Sequence, residues 1–406
     1  QHMTKLALSI RIIIYGALLS TFIGAISFAF IYLESNISHY LWHILLTNNT
    51  FKTLTILLFC LLGGLIVGSL RGKWGDYPQT AHHTIQQLKE HKTVNYRPVF
   101  KSLLTALLIL IFGAGVGPEA ALLGAIVMLS VWQADKIRYL FFNRESFAAL
   151  KPLERLGHMF HPTRYLLTYN PKNTNEKLAS TKKYVIIFYI LNGLFAFIVL
   201  MKYTNQPSFI SKMGMTYWEL KDFWLFVPLV VFGVLAGNLY NLFKRKMADW
   251  MNFWSDQPIK KALIGSLAIF MVGMFTPNLL FSGQVTLGAV PKEYLHFSTL
   301  LLVCIVIIKL VFLQVCLNTG WIGGDIFPIV FSAILLGFGL SQLLPNFDTV
   351  FIVATVATAM TISILQSPLG LAIFIALFFP VQILPIILLT ALLLKVIQTK
   401  RGKQVV

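Results

Sequence analysis

Two glycine-rich turns, each leading to a proline that opens a helix, lie inside strongly apolar stretches of the chain. Residues 113–121 read GAGVGPEAA and residues 320–328 read GWIGGDIFP. In water such a turn is a common junction between a loop and a helix, but in a lipid bilayer its freed backbone N–H groups have no water to bind. The pattern therefore predicts two helices that begin inside a membrane, with an anion at their N-termini.

The composition is that of a polytopic membrane protein. Of the 406 residues, 57% are hydrophobic and 12% are charged, whereas soluble domains carry about 25% charged residues. Twelve apolar runs predict an all-α fold, at residues 6–33, 54–70, 99–112, 120–131, 184–201, 223–243, 262–275, 300–317, 326–344, 350–365, 369–379 and 383–396. Several runs are shorter than the roughly 20 residues that span the hydrocarbon core, which predicts broken, mid-membrane helices in an inverted repeat.

The charged links between the runs predict the orientation. Links rich in Lys and Arg, at residues 71–101, 135–183 and 244–261, alternate with links that carry little or mixed charge, and the net charge is +18. Because cytoplasmic loops carry the excess of Lys and Arg, we expect a multi-pass protein of the plasma membrane with both termini in the cytoplasm. Direct attraction of anions accounts for a smaller part of this charge.

Residues 135–181 form a basic segment without a spanning run. Short amphipathic patches there predict one or two interfacial helices at the cytoplasmic leaflet, and a folded regulatory insert is the alternative. The predicted organisation is a first transmembrane part at residues 1–134, this segment, and the remaining transmembrane part at residues 182–403, without a soluble C-terminal domain.

Several classes of function are disfavoured by the residues present. We find no nucleic-acid motif, no nucleophile–base pair, no phosphate loop and no cofactor motif, so we expect neither an enzyme nor a nucleic-acid binder. The three cysteines, Cys60, Cys304 and Cys316, lie in apolar runs without the spacing of metal ligands. His82 and His83 are expected on the surface.

Six stretches resemble the CLC family of chloride channels and proton/chloride antiporters. Residues 309–328 resemble the family stretch that ends in GGIFAP, residues 363–370 resemble SIxAPLxG, and residues 382–387 resemble QLILPMI. Residues 223–246 resemble the long helix that opens the family's second half, residues 117–118 fall where the family has GREGP, and residues 74–78 fall where it has GSGIP. The order and spacing of these stretches identify the chain as similar to a divergent bacterial member. The resemblance implies a homodimer in the lipid bilayer, with an anion pathway in each subunit that carries chloride or another small inorganic anion.

The two glycine-rich turns are the predicted anion site. Backbone N–H groups at a positive helix end need no particular side chain, and any single glycine has tight helix packing as its alternative role. The predicted anion-binding residues are Gly115, Val116, Gly117, Pro118, Gly323, Gly324, Asp325, Ile326 and Phe327.

The chain departs from the family pattern at its gate. Val116 stands where the family has its gating glutamate, and Glu119 follows one residue after the proline. Glu119 either caps its own helix or acts as a gating and proton-carrying carboxylate. The family's serine would fall near Gly75, where no hydroxyl is present, and its tyrosine has no evident equivalent. The antiporters' inner glutamate lies in a helix that residues 135–181 replace.

Three other charged residues bear on the predicted pathway. Asp325 is either an N-cap or a fixed charge beside the pathway, and a chloride path predicts that its carboxylate is turned away or neutralised. Lys309 and Lys101 are predicted to be buried charges that make the pathway positive, with pairing to Glu119 or Asp325 as the alternative.

These residues leave four functions open. The first is a passive anion channel or uniporter, and the second is a proton-coupled chloride antiporter that uses Glu119. The third keeps the fold but carries another anion, such as bicarbonate, nitrate or fluoride. The fourth is a membrane scaffold that recruits a partner through residues 135–181.

Overall fold

The predicted all-α architecture is confirmed. A computed structural model of the protein describes residues 2–45, 51–170, 176–208, 210–252 and 257–404. Seventeen α-helices make the chain 78% helical, with no strand among the described residues.

The helices follow one another along the chain with short connections. The first eight are α1 (His2–His39), α2 (Lys52–Trp74), α3 (Ala81–His91), α4 (Val99–Ile111), α5 (Glu119–Phe142), α6 (Arg144–Ala149), α7 (Pro152–Phe160) and α8 (Glu176–Tyr203). The others are α9 (Phe226–Asn252), α10 (Pro258–Phe275), α11 (Gln284–Leu287), α12 (Val290–Glu293), α13 (Thr299–Asn318), α14 (Ile326–Gln342), α15 (Thr349–Leu365), α16 (Pro368–Ala376) and α17 (Leu384–Gln404). A π-helical stretch, Tyr40–Leu45, extends α1.

Apolar helices of two lengths occur along the described chain, some long enough to span a membrane and some shorter. Within the described residues, eight helical segments are long and apolar enough to cross a membrane. The helices α4, α14 and α15 are apolar but have only 13, 17 and 17 residues, which is fewer than the roughly 20 residues of a typical spanning helix. The prediction of broken helices is therefore confirmed.

One compact unit consists of Gln1–His39, Asp76–Leu107 and Glu119–Pro207. Glycines allow its helices to pack closely: a Cβ added at Gly24 would lie 2.3 Å from the Gly193 oxygen of α8. Between α5 and α1, Gln133 Nε2 donates a hydrogen bond to the Gly16 carbonyl at 2.7 Å. In this unit α1 is thus the element on which α5 and α8 pack.

The basic segment is partly folded onto the end of α5. That helix was predicted to end near residue 131 but continues to Phe142. Lys136 is 1% exposed and donates to the carbonyls of His158 and Arg164 at 3.1 and 2.9 Å. Asp135 pairs with Arg138 at 2.6 Å. The polar residues at the end of α5 are thus helical because distant carbonyls and a neighbouring charge satisfy them. The boundaries at residues 134 and 181 stay a prediction.

The second unit consists of Tyr40–Gly75, Leu108–Pro118 and Ser208–Val406. Its centre is α15, in which the fifteen residues from Val350 to Ile364 are all buried. Against this helix packs α9, whose Gly233 and Gly237 leave no room for a side chain: an added Cβ would lie 2.7 Å from Ala359 Cβ or Ser363 Cβ. Around α15 lie α14 and α17, and α2 pairs with α10. Both glycine-rich turns belong to this unit.

Candidate anion site

The first turn, residues 113–118, connects α4 to α5 and is fully buried. Gly113 has φ +89°, and a Cβ there would lie 2.6 Å from the ring of Trp42. A positive φ and an adjacent indole both require glycine at this position. Trp42 itself is fixed by a hydrogen bond of 3.0 Å from its Nε1 to the Ile111 carbonyl.

The second turn, residues 319–325, connects α13 to α14. Gly320 has φ +96°, and its carbonyl lies 3.5 Å from Nη1 of Arg71 at the end of α2. Trp321 is 0% exposed and donates from Nε1 to the Ala262 carbonyl at 2.9 Å. This turn is therefore anchored to both α2 and α10.

The two turns are hydrogen-bonded to each other. Gly117 N–H donates to the Gly324 oxygen and Gly324 N–H donates to the Gly117 oxygen, both at 2.7 Å. Beside this bridge, a Cβ added at Gly323 would lie 2.4 Å from Val116 Cγ2. The structure therefore brings together the two halves of the predicted site, which lie about 200 residues apart in the sequence.

Several N–H groups in the first turn are already bonded to protein atoms. Gly115 N–H donates to Cys316 Sγ of α13 at 3.3 Å, and Gly117 N–H is used in the bridge to Gly324. Gly324 N–H is used in the same bridge. Val116, at the position of the family's gate, is 0% exposed. The Gly115, Gly117 and Gly324 amides are therefore engaged by protein atoms.

The start of α14 is more accessible than the first turn. Asp325 and Ile326 are half-buried, and Phe327 is 9% exposed. Asp325 occupies the N-cap position, but its side chain makes no capping hydrogen bond. Its Oδ2 lies instead 4.0 Å from Nζ of Lys244, on α9. The carboxylate thus lies at the limit of ion-pair distance from a lysine.

Glu119 is the first residue of α5, directly after Pro118 in the chain, and it is half-buried. In the first turn of a helix a carboxylate is stabilised by the helix dipole. This position fits both roles predicted for it.

The two lysines predicted to be buried differ. Lys309 is 0% exposed; its Nζ donates to the carbonyls of Leu279, at 2.8 Å, and Phe281, and lies 5.8 Å from the ring centroid of Phe312. That ring fills the space where a Gly115 side chain would be. Lys101 is exposed, so its predicted burial was wrong: it lies in the first turn of α4, where its long side chain reaches the surface.

Sequence reasoning missed two residues of α9 that face this region. Lys244 was read only as part of a basic link. Tyr240, one turn before it, is 5% exposed and accepts a hydrogen bond of 2.6 Å from Nε2 of Gln314 on α13. The spacing of Gly233, Gly237, Tyr240 and Lys244 places all four on one helical face, which is the signal that could have identified them.

Solved structures share this fold. A CLC-type fluoride/proton antiporter matches with a TM-score of 0.63 at 17% identity, covering 96% of this chain and 95% of the other. A slow cyanobacterial Cl-/H+ antiporter matches with a TM-score of 0.68 at 18% identity, covering 94% and 93%. A eukaryotic CLC transporter matches with a TM-score of 0.58 at 14% identity, covering 96% and 71%.

Sequence comparisons give one family. No curated protein matches the chain, but residues 176–398, more than half of it, match the family described as voltage gated chloride channel. These residues contain the second glycine-rich turn, including Gly324 of the bridge. The chain therefore belongs to the voltage gated chloride channel (CLC) family of anion-transporting membrane proteins.

Proposed function

We propose that the chain carries chloride across the membrane by a passive, channel- or uniporter-like mechanism. The anion binds to the backbone N–H groups of Ile326 and Phe327, at the positive end of α14. The observation that carries this proposal is the start of α14, where a helix begins in an apolar region without a side-chain cap. An anion at this helix end replaces the hydrogen bonds that water would make.

The passive mechanism is supported by the residue at the position of the family's gate. Val116 has no proton to exchange, and its side chain is enclosed beside Gly323. A valine at this position neither carries a proton nor swings into the pathway as a charged group. Anion movement without proton movement is the simplest consequence.

A proton-coupled antiporter is the second candidate, and Glu119 is the observation that favours it. The residue begins α5 immediately after the glycine-rich turn, and two of the similar structures are described as proton antiporters. In this mechanism the Glu119 carboxylate competes with the anion and carries the proton.

Lys309 supplies positive potential in the proposed mechanism. Its ammonium is buried and is held by backbone carbonyls. In a low-dielectric interior such a charge acts over a longer range than at the surface. Lys101, which is exposed, contributes a weaker and salt-screened attraction.

Flux measurements on liposomes test the mechanism. The purified protein is reconstituted with a chloride gradient, and chloride efflux is recorded together with the internal pH. Valinomycin and potassium are present so that charge does not build up across the membrane. Under this condition we expect chloride to leave the liposomes while no protons move uphill. Proton uptake driven at a fixed ratio by the chloride gradient would refute the passive mechanism and support the antiporter.

Glu119→Gln separates the two candidates further. In a passive channel this variant changes the chloride flux, and coupled proton flux is absent both from the variant and from the unmodified protein. In an antiporter it abolishes proton movement and spares chloride movement. Repeating the efflux with bicarbonate, nitrate and fluoride tests the anion: faster movement of one of these than of chloride would reassign the substrate.

The proposed assembly is a homodimer in the plasma membrane, with an anion pathway in each subunit and both termini in the cytoplasm. The alternation of basic links supports this orientation. Crosslinking in membranes tests the dimer, and labelling of a cysteine placed in the 244–261 link tests the orientation.

A further inference from the structure

Helix α7 has an apolar face that no other part of the described chain covers. Leu153, Leu156 and Phe160 lie on this face at helical spacing and are 81%, 51% and 55% exposed. Gly157 lies between them, and a Cβ added there would meet no atom within 4 Å. Contiguous apolar surface of this kind is typical of a site that contacts another molecule or a membrane.

The opposite face of α7 is fixed to α1 and to the end of α5. The Tyr15 hydroxyl donates to the Met159 carbonyl at 2.6 Å, and the Met159 side chain packs against the buried cluster that contains Tyr15 and Trp132. Lys136 Nζ donates to the His158 carbonyl at 3.1 Å. These contacts determine which face of α7 is turned outward.

The same contacts set the depth of α7 relative to a bilayer. Two segments that are long and apolar enough to cross a membrane, Ile10–His43 and Glu119–Phe142, include the parts of α1 and α5 that bind α7. Tyr15 lies near the beginning of the first segment and Lys136 lies near the end of the second, so both mark the same boundary of the bilayer. The apolar face of α7 therefore lies at the level where the hydrocarbon meets the headgroups.

Exposed basic side chains lie on the elements around this face. Lys151 precedes α7, Arg164 follows it, and Arg11 lies on α1 one turn before the residue that binds α7; all three are exposed. The acidic residue of α7, Glu154, is used within the helix, since its Oε2 accepts a hydrogen bond of 3.1 Å from the Lys151 N–H. A surface that is apolar on one face and basic around it is complementary to a leaflet that contains anionic phospholipid.

We propose that α7 is a binding site for anionic phospholipid. Leu153, Leu156 and Phe160 insert among the upper parts of the acyl chains, and Lys151 and Arg164 bind the phosphate groups. Because a zwitterionic headgroup has no net charge to attract these two residues, the site prefers phosphatidylglycerol to phosphatidylcholine. Lipid binding at α7 is independent of which anion the protein carries and of whether protons move with it.

A fluorophore at residue 157 tests this site in the full chain. Gly157→Cys is labelled with bimane in a protein that also carries Cys304→Ala, which removes the exposed cysteine and leaves the buried Cys60 and Cys316. The labelled protein is placed in nanodiscs with increasing fractions of phosphatidylglycerol or phosphatidylcholine, each spin-labelled near the top of an acyl chain. We expect both lipids to quench the bimane, and the apparent affinity to be at least about fivefold higher for phosphatidylglycerol.

Variants separate the charged part of the site from the apolar part. Lys151→Gln with Arg164→Gln should remove most of the preference for phosphatidylglycerol and leave quenching by phosphatidylcholine nearly unchanged. Leu153→Ser with Leu156→Ser should weaken quenching by both lipids. The control is bimane at His83→Cys, an exposed position on the polar face of α3, which should be quenched little by either lipid.

Three results would overturn lipid binding at α7. Equal apparent affinities for the two spin-labelled lipids would show that the headgroup is not recognised. Quenching by aqueous iodide but by neither lipid would place α7 outside the bilayer. A bimane that neither lipid nor iodide quenches would indicate that a second copy of the chain covers the face. The flux measurement on liposomes decides the proposed transport separately, so lipid binding and transport can fail independently.

Discussion

The two glycine-rich turns resemble each other in sequence but use their backbone N–H groups differently. In the first turn, Gly115 and Gly117 donate to Cys316 Sγ and to the Gly324 oxygen, and the whole turn is buried. In the second, the chain continues into a helix whose first amides are not capped by Asp325. The first turn is thus a packing element, whereas the second leads into a helix that has no side-chain cap.

This difference shows how the first glycine-rich turn supports the second. The bridge between Gly117 and Gly324 fixes the segment that precedes α14, and the small residues at the contact allow the backbones to approach. In the proposed mechanism, the amides at the start of α14 are held in position by first-turn amides that bind protein atoms. Substitutions in the first turn should therefore affect stability, and those near α14 should affect transport.

Gly323→Ala should have the largest effect, because it disturbs the contact between the two turns. The added Cβ would lie 2.4 Å from Val116 Cγ2 and 3.1 Å from the Gly117 oxygen. Overpacking of this kind costs about 1–3 kcal/mol. We expect a clearly lower melting temperature in detergent. Gly72→Ala is the control, since its Cβ would have only a neighbour at 3.8 Å; an equal loss in both variants would contradict the proposed contact.

Lys309→Met should have the next largest effect. It removes the donor for the carbonyls of Leu279 and Phe281, beside the Phe312 ring that packs against Gly115. Leaving buried polar groups unsatisfied costs about 1–3 kcal/mol. The loss should appear in thermal unfolding. Chloride flux per folded protein should also fall, because the positive potential is removed; unchanged flux would show that Lys309 supports only the fold.

Cys316→Ala should have a smaller effect, confined to stability. It deprives the Gly115 N–H of its acceptor, at a cost of about 1–2 kcal/mol, and should leave the half-maximal chloride concentration unchanged. Cys316→Ser keeps an acceptor and should lose less. Cys304→Ala, an exposed position on the same helix, should be nearly neutral. A change in chloride affinity in Cys316→Ala would indicate that the first turn also binds the anion.

The sequence predicted the helices well where local signals are strong. The run at residues 350–365 became α15 because Asp348 caps its start and Pro368 follows its end. The prediction of the helix end failed at α5, because Asp135 and Lys136 looked like the start of a polar link. Their partners, Arg138, His158 and Arg164, were invisible to a count of charges because two of them lie more than 20 residues away.

The site was predictable only in outline. The Gly/Pro patterns gave both turns, but which amides are occupied depends on pairings such as Gly115 with Cys316, 201 residues apart. The partner of Asp325 was likewise hidden, since Lys244 is 81 residues away and belongs to an ordinary basic cluster. Contacts between residues far apart in the sequence decide which backbone N–H groups are bonded to protein atoms. A motif in the sequence does not show these contacts.

The most direct test of the central claim is a crystal structure with bromide in place of chloride, read by anomalous scattering. We expect a bromide peak within hydrogen-bonding distance of the Ile326 and Phe327 nitrogens, and no peak at the amides of Gly115 and Gly117. A peak on the first turn, or an empty α14 start in a protein that transports bromide, would contradict this expectation.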